Sequence, residues 1–95
     1  MFDLTGKRSL VTGATGGIGA AIACALHARG AEVALSGSRE EVLSELAAEL
    51  GGRTHVLPSD LRDGEAASLL PGQAAEAMGG IDTLVHCAGI TRDNL

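Results

Sequence analysis

The chain has 95 residues, room for one small domain and not for two. Seven basic and 12 acidic residues give a net charge of -5, which argues against nucleic acid or an anionic membrane as the main partner, since both need clustered positive charge. A hydrophobic fraction of 45% excludes a disordered tail, yet no apolar run approaches the roughly 18 residues of a membrane span.

The chain opens Met-Phe-Asp, without the basic-then-apolar start of a secretion signal, so the cytoplasm is the expected compartment. Residues 8–12, a short apolar run after Gly6, read as a first strand. A glycine-rich loop follows, Thr12-Gly13-Ala14-Thr15-Gly16-Gly17-Ile18-Gly19. Between a strand and a helix, such a loop lets the backbone approach a diphosphate, and the first helical N–H groups point at the anion. No Lys-Ser or Lys-Thr follows the glycines, which excludes a Walker loop. Residues 17–29 carry Ile18, Ala21, Ile22, Ala25 and Leu26 at helical spacing, so these are the expected buried stripe, and Gly30 stops the helix.

Residues 32–36 read as a second strand, ending at Ser36-Gly37-Ser38-Arg39. An acid at this point would bind the 2′-hydroxyl of NAD and repel a 2′-phosphate. Here Gly37 leaves room, Ser38 can donate a hydrogen bond and Arg39 adds positive charge, so NADP(H) is expected over NAD(H). Ser38 with Glu41 also matches a capping box for a helix burying Val42, Leu43, Leu46, Ala47 and Leu50. Gly51-Gly52 ends that helix, and residues 53–57 read as a third strand. In Ser59-Asp60-Leu61, Asp60 serves equally as a turn residue or as an acceptor for an adenine amino group. Asp63 caps a short helix through Leu70, Pro71 interrupts, and a second short helix runs to Met78 before Gly79-Gly80. Residues 82–87 read as a fourth strand, and Ala88-Gly89 turns the chain.

Strands alternating with helices imply an α/β fold, a parallel sheet covered on both faces. Right-handed crossovers then give strand order 3-2-1-4, part of a three-layer, doubly wound Rossmann-type sheet, and residues 1–95 read as the N-terminal part of one dinucleotide-binding domain. Cys24 and Cys87 are too few for a disulfide scaffold and read as small, reduced core residues. His27, His55 and His86 are scattered, so no metal site is expected.

Together these segments resemble the short-chain dehydrogenase/reductase family. Thr12-Gly13-xxx-Gly17-x-Gly19 matches its cofactor motif, Asp60-Leu61 its adenine-contacting pair, and Cys87-Ala88-Gly89 the end of its Asn-Asn-Ala-Gly. The stretch 88–95 and the opening Phe2-Asp3-Leu4-Thr5-Gly6-Lys7 are similar to the bacterial 3-oxoacyl-[acyl-carrier-protein] reductases within it. The resemblance implies cofactor-phosphate contacts from Gly13, Ala14, Thr15, Gly16 and Ile18, with Gly19 completing the motif. It implies a 2′-phosphate neighbourhood at Ser38, an adenine border at Asp60 and Leu61, and a ribose border at Cys87, Ala88 and Gly89. For the complete enzyme it implies NADPH-dependent reduction of an acyl-carrier-protein-linked substrate and a homotetramer.

Two departures matter. His86 and Cys87 replace the family's paired asparagines, which hydrogen-bond across the sheet, so weaker cofactor binding is expected. The family's catalytic Ser, Tyr and Lys, with a supporting Asn, fall beyond residue 95, and the chain has no Tyr at all. An alternative is therefore a catalytically inactive dinucleotide-binding fragment with its fourth strand as an open edge. Gly13-xx-Gly16-xx-Gly19 with Val85-His86-Cys87-Ala88 also resembles the extended branch, the nucleotide-sugar epimerases and dehydratases.

Overall fold

Leu10, Val11, Val33, Ala34 and Leu35 have no solvent exposure, and the two strands that carry them take the centre of the sheet. The computed structural model describes residues 3–14, 16–59 and 64–87. Seven elements alternate: β1 (Arg8–Thr12), α1 (Gly17–Ala28), β2 (Glu32–Ser36), α2 (Glu40–Leu50), β3 (Thr54–Val56), α3 (Gly64–Met78) and β4 (Thr83–His86). The strands run in the order β3-β2-β1-β4, and every pairing is parallel. This is part of a Rossmann-type sheet, with the strand order the alternating pattern requires.

Side chains alternate across the sheet, so each strand feeds two cores. Val11, Val33 and Leu35 pack with Ala23 of α1 and with Leu43 and Leu46 of α2. On the opposite face Leu10 and Ala34 pack with Leu70, Ala74 and Met78 of α3. The result is three layers. At the β4 edge Leu84 pairs in register with Leu10 but stays 57% exposed.

Three local readings are corrected. In α1 the buried residues are Gly19 and Ala23, with Ala20, Cys24 and Leu26 packed beside them. Ile18, Ala21 and Ala25 are exposed, because the helix turns its smallest residues to the sheet and so comes closest to it. Ser38 is not the cap of α2: the N-cap is Arg39, with extended backbone and no side-chain cap bond. Arg39 accepts from Val42 and Leu43 N–H through its carbonyl, both at 3.1 Å, which starts the helix one residue late for a Ser38–Glu41 box.

The third correction is α3, one continuous helix with Pro71 inside it. Proline removes one N–H from the ladder and strains the turn before it. Leu70, Ala74 and Met78 recur every fourth residue and are all buried, and that stripe on Leu10 and Ala34 outweighs the local break. Pro71 itself lies on the exposed side. The expected cap at Asp63 lies outside the described residues. β3 and β4 are shorter than expected by one residue at each end.

Candidate functional site

The glycine loop connects the end of β1 to the start of α1 at the carboxyl edge of the sheet. Gly13 takes φ +72°, a left-handed turn that costs a side-chain-bearing residue roughly 1 kcal/mol or more. Ala14 is fully buried and its N–H donates to the Ser36 carbonyl at 2.9 Å, which fixes the loop to β2. Gly16 donates to the Gly13 carbonyl at 3.1 Å and caps α1 in extended conformation. A Cβ on Gly19 would overlap the Gly13 carbonyl oxygen and lie 2.8 Å from its carbon. Glycine at 19 therefore lets the helix start directly against the turn.

That start is electrostatically open. The first-turn N–H groups of any helix lack an intrahelical acceptor. The first turn of α1 has no acidic residue and its N-cap makes no side-chain bond. Within that first turn, then, no acidic side chain opposes the helix dipole, which suits an anion. Ile18 stands 52% exposed at this mouth. Thr15 lies outside the described residues.

A second open helix start lies beside it. After β2, Gly37 is buried while Ser38 and Arg39 are exposed. α2 begins at Arg39 without a side-chain cap, and Ser38 just before it is exposed. Glu40 and Glu41 in the first turn oppose an anion here, and Arg39 and the free amides favour one. Ser59 N–H donates to the Gly37 carbonyl at 2.9 Å, bringing the loop after β3 against the end of β2. The hydroxyls of Ser36 and Ser59 are both buried without a hydrogen-bond partner among the described residues. Buried hydroxyls are ordinarily satisfied, so this junction has unused hydrogen-bonding capacity. Asp60 and Leu61 lie outside the described residues.

The third part is the end of β4. Cys87 is 7% exposed, and its N–H donates to the Thr12 carbonyl at 3.2 Å. The Thr12 hydroxyl, on a residue only 3% exposed, meets His86 Nδ1 at 2.8 Å and the Val85 carbonyl at 3.4 Å. His86 thus makes a bond across the sheet, of the kind the family resemblance implies for the asparagine in its place. Cys87 contributes its backbone. Ala88 and Gly89 lie outside the described residues.

The carboxyl edge therefore gathers Gly13, Ala14, Gly16, Ile18, Gly19, Ser38, Arg39 and Cys87. Sequence reasoning missed the Thr12 and His86 side chains and the two serine hydroxyls as parts of the site. Thr12 and His86 are 74 positions apart and meet only through strand register, which no local pattern reveals.

The perturbed carboxylates lie elsewhere. A hydrogen bond from the Thr5 side chain, then one from its backbone, holds Asp3 below the ordinary carboxylate range. The Arg8 side chain, then its backbone N–H, does the same for Asp82. A groove of about 460 Å³ lined by Leu57, Pro58, Gln73, Glu76 and Ala77 shares no residue with the glycine loop. Among the described residues no three His, Cys, Asp or Glu side chains gather to hold a metal ion, and no helix is long and apolar enough to cross a membrane.

Residues 7–95 match the family model of the short chain dehydrogenases. Nodulation protein G of Rhizobium sp. (strain N33) is 55% identical over 96 residues, covering 100% of this chain and 39% of that protein. The 3-oxoacyl-[acyl-carrier-protein] reductase FabG of Rickettsia conorii is 45% identical over 95 residues, covering 100% of this chain and 38% of its own length. The chain thus spans well under half of the relatives it matches. Among solved structures, 3-ketoacyl-(acyl-carrier-protein) reductase from Brucella melitensis, complexed with NADH, superposes with TM-score 0.81 at 26% identity, over 86% of this chain and 34% of that one. An RhlG/NADP active-site complex from Pseudomonas aeruginosa superposes with TM-score 0.83 at 33% identity, over 93% of this chain and 36% of that one.

Proposed function

Because the chain belongs to the short-chain dehydrogenase family, we propose that its carboxyl edge holds NADP(H) and that the whole protein reduces 3-oxoacyl-[acyl-carrier-protein] to the 3-hydroxyacyl form. The observation that carries the cofactor reading is the contact of Gly19 with Gly13, which leaves an uncapped, acid-free helix start where a diphosphate would rest. A side chain at position 19 would push against the Gly13 backbone that shapes that cradle. The reductase reading is supported by the 45% identity to a 3-oxoacyl-[acyl-carrier-protein] reductase.

The residues present fit the cofactor. Gly13, Gly16 and Ile18 would hold the diphosphate through the loop and the first turn of α1. Ser38 and Arg39, beside the open start of α2, would receive the 2′-phosphate. The structural neighbours carry either dinucleotide, so the preference for NADP(H) rests on residues 36–39. When bound, the reduced cofactor supplies a hydride. In the family mechanism the accompanying proton comes from a Tyr with a supporting Lys; this chain contains no Tyr and its single Lys, Lys7, precedes β1 at the opposite edge, so the proposal takes the donor from outside these residues. By themselves the 95 residues are a dinucleotide binder without turnover. For the whole protein the proposal extends, on the family resemblance alone, to a cytoplasmic homotetramer.

Two measurements test this. The chain has no Trp or Tyr, so the fluorescence of a reduced dinucleotide reports binding without an indole or phenol background. NADPH is expected to bind more tightly than NADH, and the reverse order overturns the cofactor assignment. The full reading frame should oxidise NADPH only when a 3-oxoacyl-[acyl-carrier-protein] is added. Dinucleotide binding with no such turnover rejects the substrate and leaves the cofactor reading standing.

A further inference from the structure

We infer that the open edge of β4 is an interaction surface for a second copy of this chain, the two β4 strands pairing antiparallel about a two-fold axis at Leu84. The inference stands apart from the dinucleotide reading and starts from the backbone. The sheet has two edges, β3 and β4. Every residue of β3 is half-buried, whereas Thr83, Leu84 and His86 of β4 are exposed. Among the described residues, Leu84 is the one large apolar side chain on a strand that stays mostly in solvent, at 57% exposure. A parallel ladder uses alternate residues of each strand. Asp82 N–H donates to the Arg8 carbonyl at 2.7 Å, and Leu84 lies level with Leu10. The N–H and C=O groups of Thr83 and Val85 therefore point away from β1. An edge of this kind pairs with another strand unless something blocks it, and β4 carries neither proline nor lysine.

Register selects the partner. With the axis at Leu84, Thr83 of one copy faces Val85 of the second copy. Both have outward N–H and C=O groups, so each of these facing pairs closes two hydrogen bonds. Leu84 then faces Leu84 of the second copy in a non-hydrogen-bonded pair, where opposed Cα atoms are about 4.5 Å apart and side chains meet most closely. One step out, Asp82 faces His86 of the second copy on the same side of the sheet as Leu84. A carboxylate thus stands across from an imidazole, not across from its own kind. An axis at Thr83 would set Leu84 against Asp82, and one at Val85 would set it against His86. The axis at Leu84 is the one that buries apolar on apolar. A two-fold contact closes on itself and stops at the dimer. The strand has four residues, so the contact is small and monomer and dimer exchange.

Sedimentation of the 95-residue chain from about 10 μM to 1 mM, the range in which small contacts associate, should show a monomer passing to a dimer and no larger species. As the dimer fills, amide hydrogen exchange at Thr83 and Val85 should slow, while that of Asp82, already bonded to Arg8, should not change. Neither reading needs a variant. Leu84→Glu and Leu84→Lys each set like charges against one another on the axis and should weaken dimerisation roughly tenfold or more. An equimolar mixture of the two variants should dimerise again, because opposite charges then meet there. A wild-type chain that stays monomeric over the whole range overturns the proposal and reserves the edge for the remaining length of the whole protein. Open-ended assemblies overturn it as well. So do Leu84→Glu and Leu84→Lys chains that each dimerise as the wild type does, or a mixture of the two that stays monomeric.

Discussion

The two edges of the sheet are built from the same chain in opposite ways. At the amino edge the loops are tied down by side chains. Arg8 donates to the Gly79 carbonyl at 2.8 Å and pairs with Asp82 at 3.2 Å, Arg53 donates to the Ala31 carbonyl at 3.0 Å, and His27 meets the Gly52 carbonyl at 2.7 Å. At the carboxyl edge two helices start without side-chain caps, and two serine hydroxyls are buried without partners among the described residues. A helix end or buried hydroxyl without a partner is costly unless something completes it. Among the described residues, side-chain bonds thus tie down the edge where the strands begin, and apart from the Thr12–His86 bond the edge where they end keeps unused capacity. The open edge is the one a ligand can complete.

Substitutions can break this contrast, and the largest effect is expected from Gly19→Val. Its side chain must displace the Gly13 backbone, so stability should fall by about 1–3 kcal/mol, the usual range for overpacking, and NADPH binding should be lost. Denaturant unfolding and dinucleotide fluorescence read the two effects. Binding at wild-type affinity would mean that the mouth of α1 is not the anion site. Next in size is Ser38→Asp. An exposed carboxylate beside the start of α2 should weaken NADPH at least tenfold, on the order of 1.4 kcal/mol or more, and leave NADH within about twofold. Equal losses for both cofactors would place the 2′-phosphate elsewhere.

The smallest effect is expected at the amino edge. Asp82 is held below the ordinary carboxylate range by the Arg8 side chain and backbone. A lowered folded-state value means that the stabilisation is present above the unfolded value and is lost as pH falls through the folded one. Asp82→Asn should therefore lower the melting temperature slightly near neutral pH, flatten its decline in acid, and leave NADPH affinity unchanged. A clear loss of affinity would show that the two edges are coupled.

Much of this was legible in the chain. Strand order followed from strict alternation of apolar runs, and the glycine loop was readable because its spacing coincides with a strand-to-helix junction. Errors came where a local rule met tertiary packing. Pro71 reads as a break, but burial of Leu70, Ala74 and Met78 carries the helix through it. In α1 hydropathy favours Ile18 and Ala25, whereas the sheet selects Gly19 and Ala23 for their small size. Ser38 had the composition of a cap, yet the backbone at Arg39 set the helix start. The bond between Thr12 and His86 depends on register between strands far apart in sequence.

The contact between Gly19 and Gly13 has a consequence for how the protein can vary over time. It joins backbone to a missing side chain, so there is nothing to exchange: no second substitution at position 13 makes room for a larger residue at 19. The Thr12–His86 bond is of the other kind, side chain to side chain, and different pairs can serve it. Lineages descended from this sequence can rewrite the β1–β4 junction by paired exchange, while positions 13 and 19 stay glycine for as long as the loop keeps its shape.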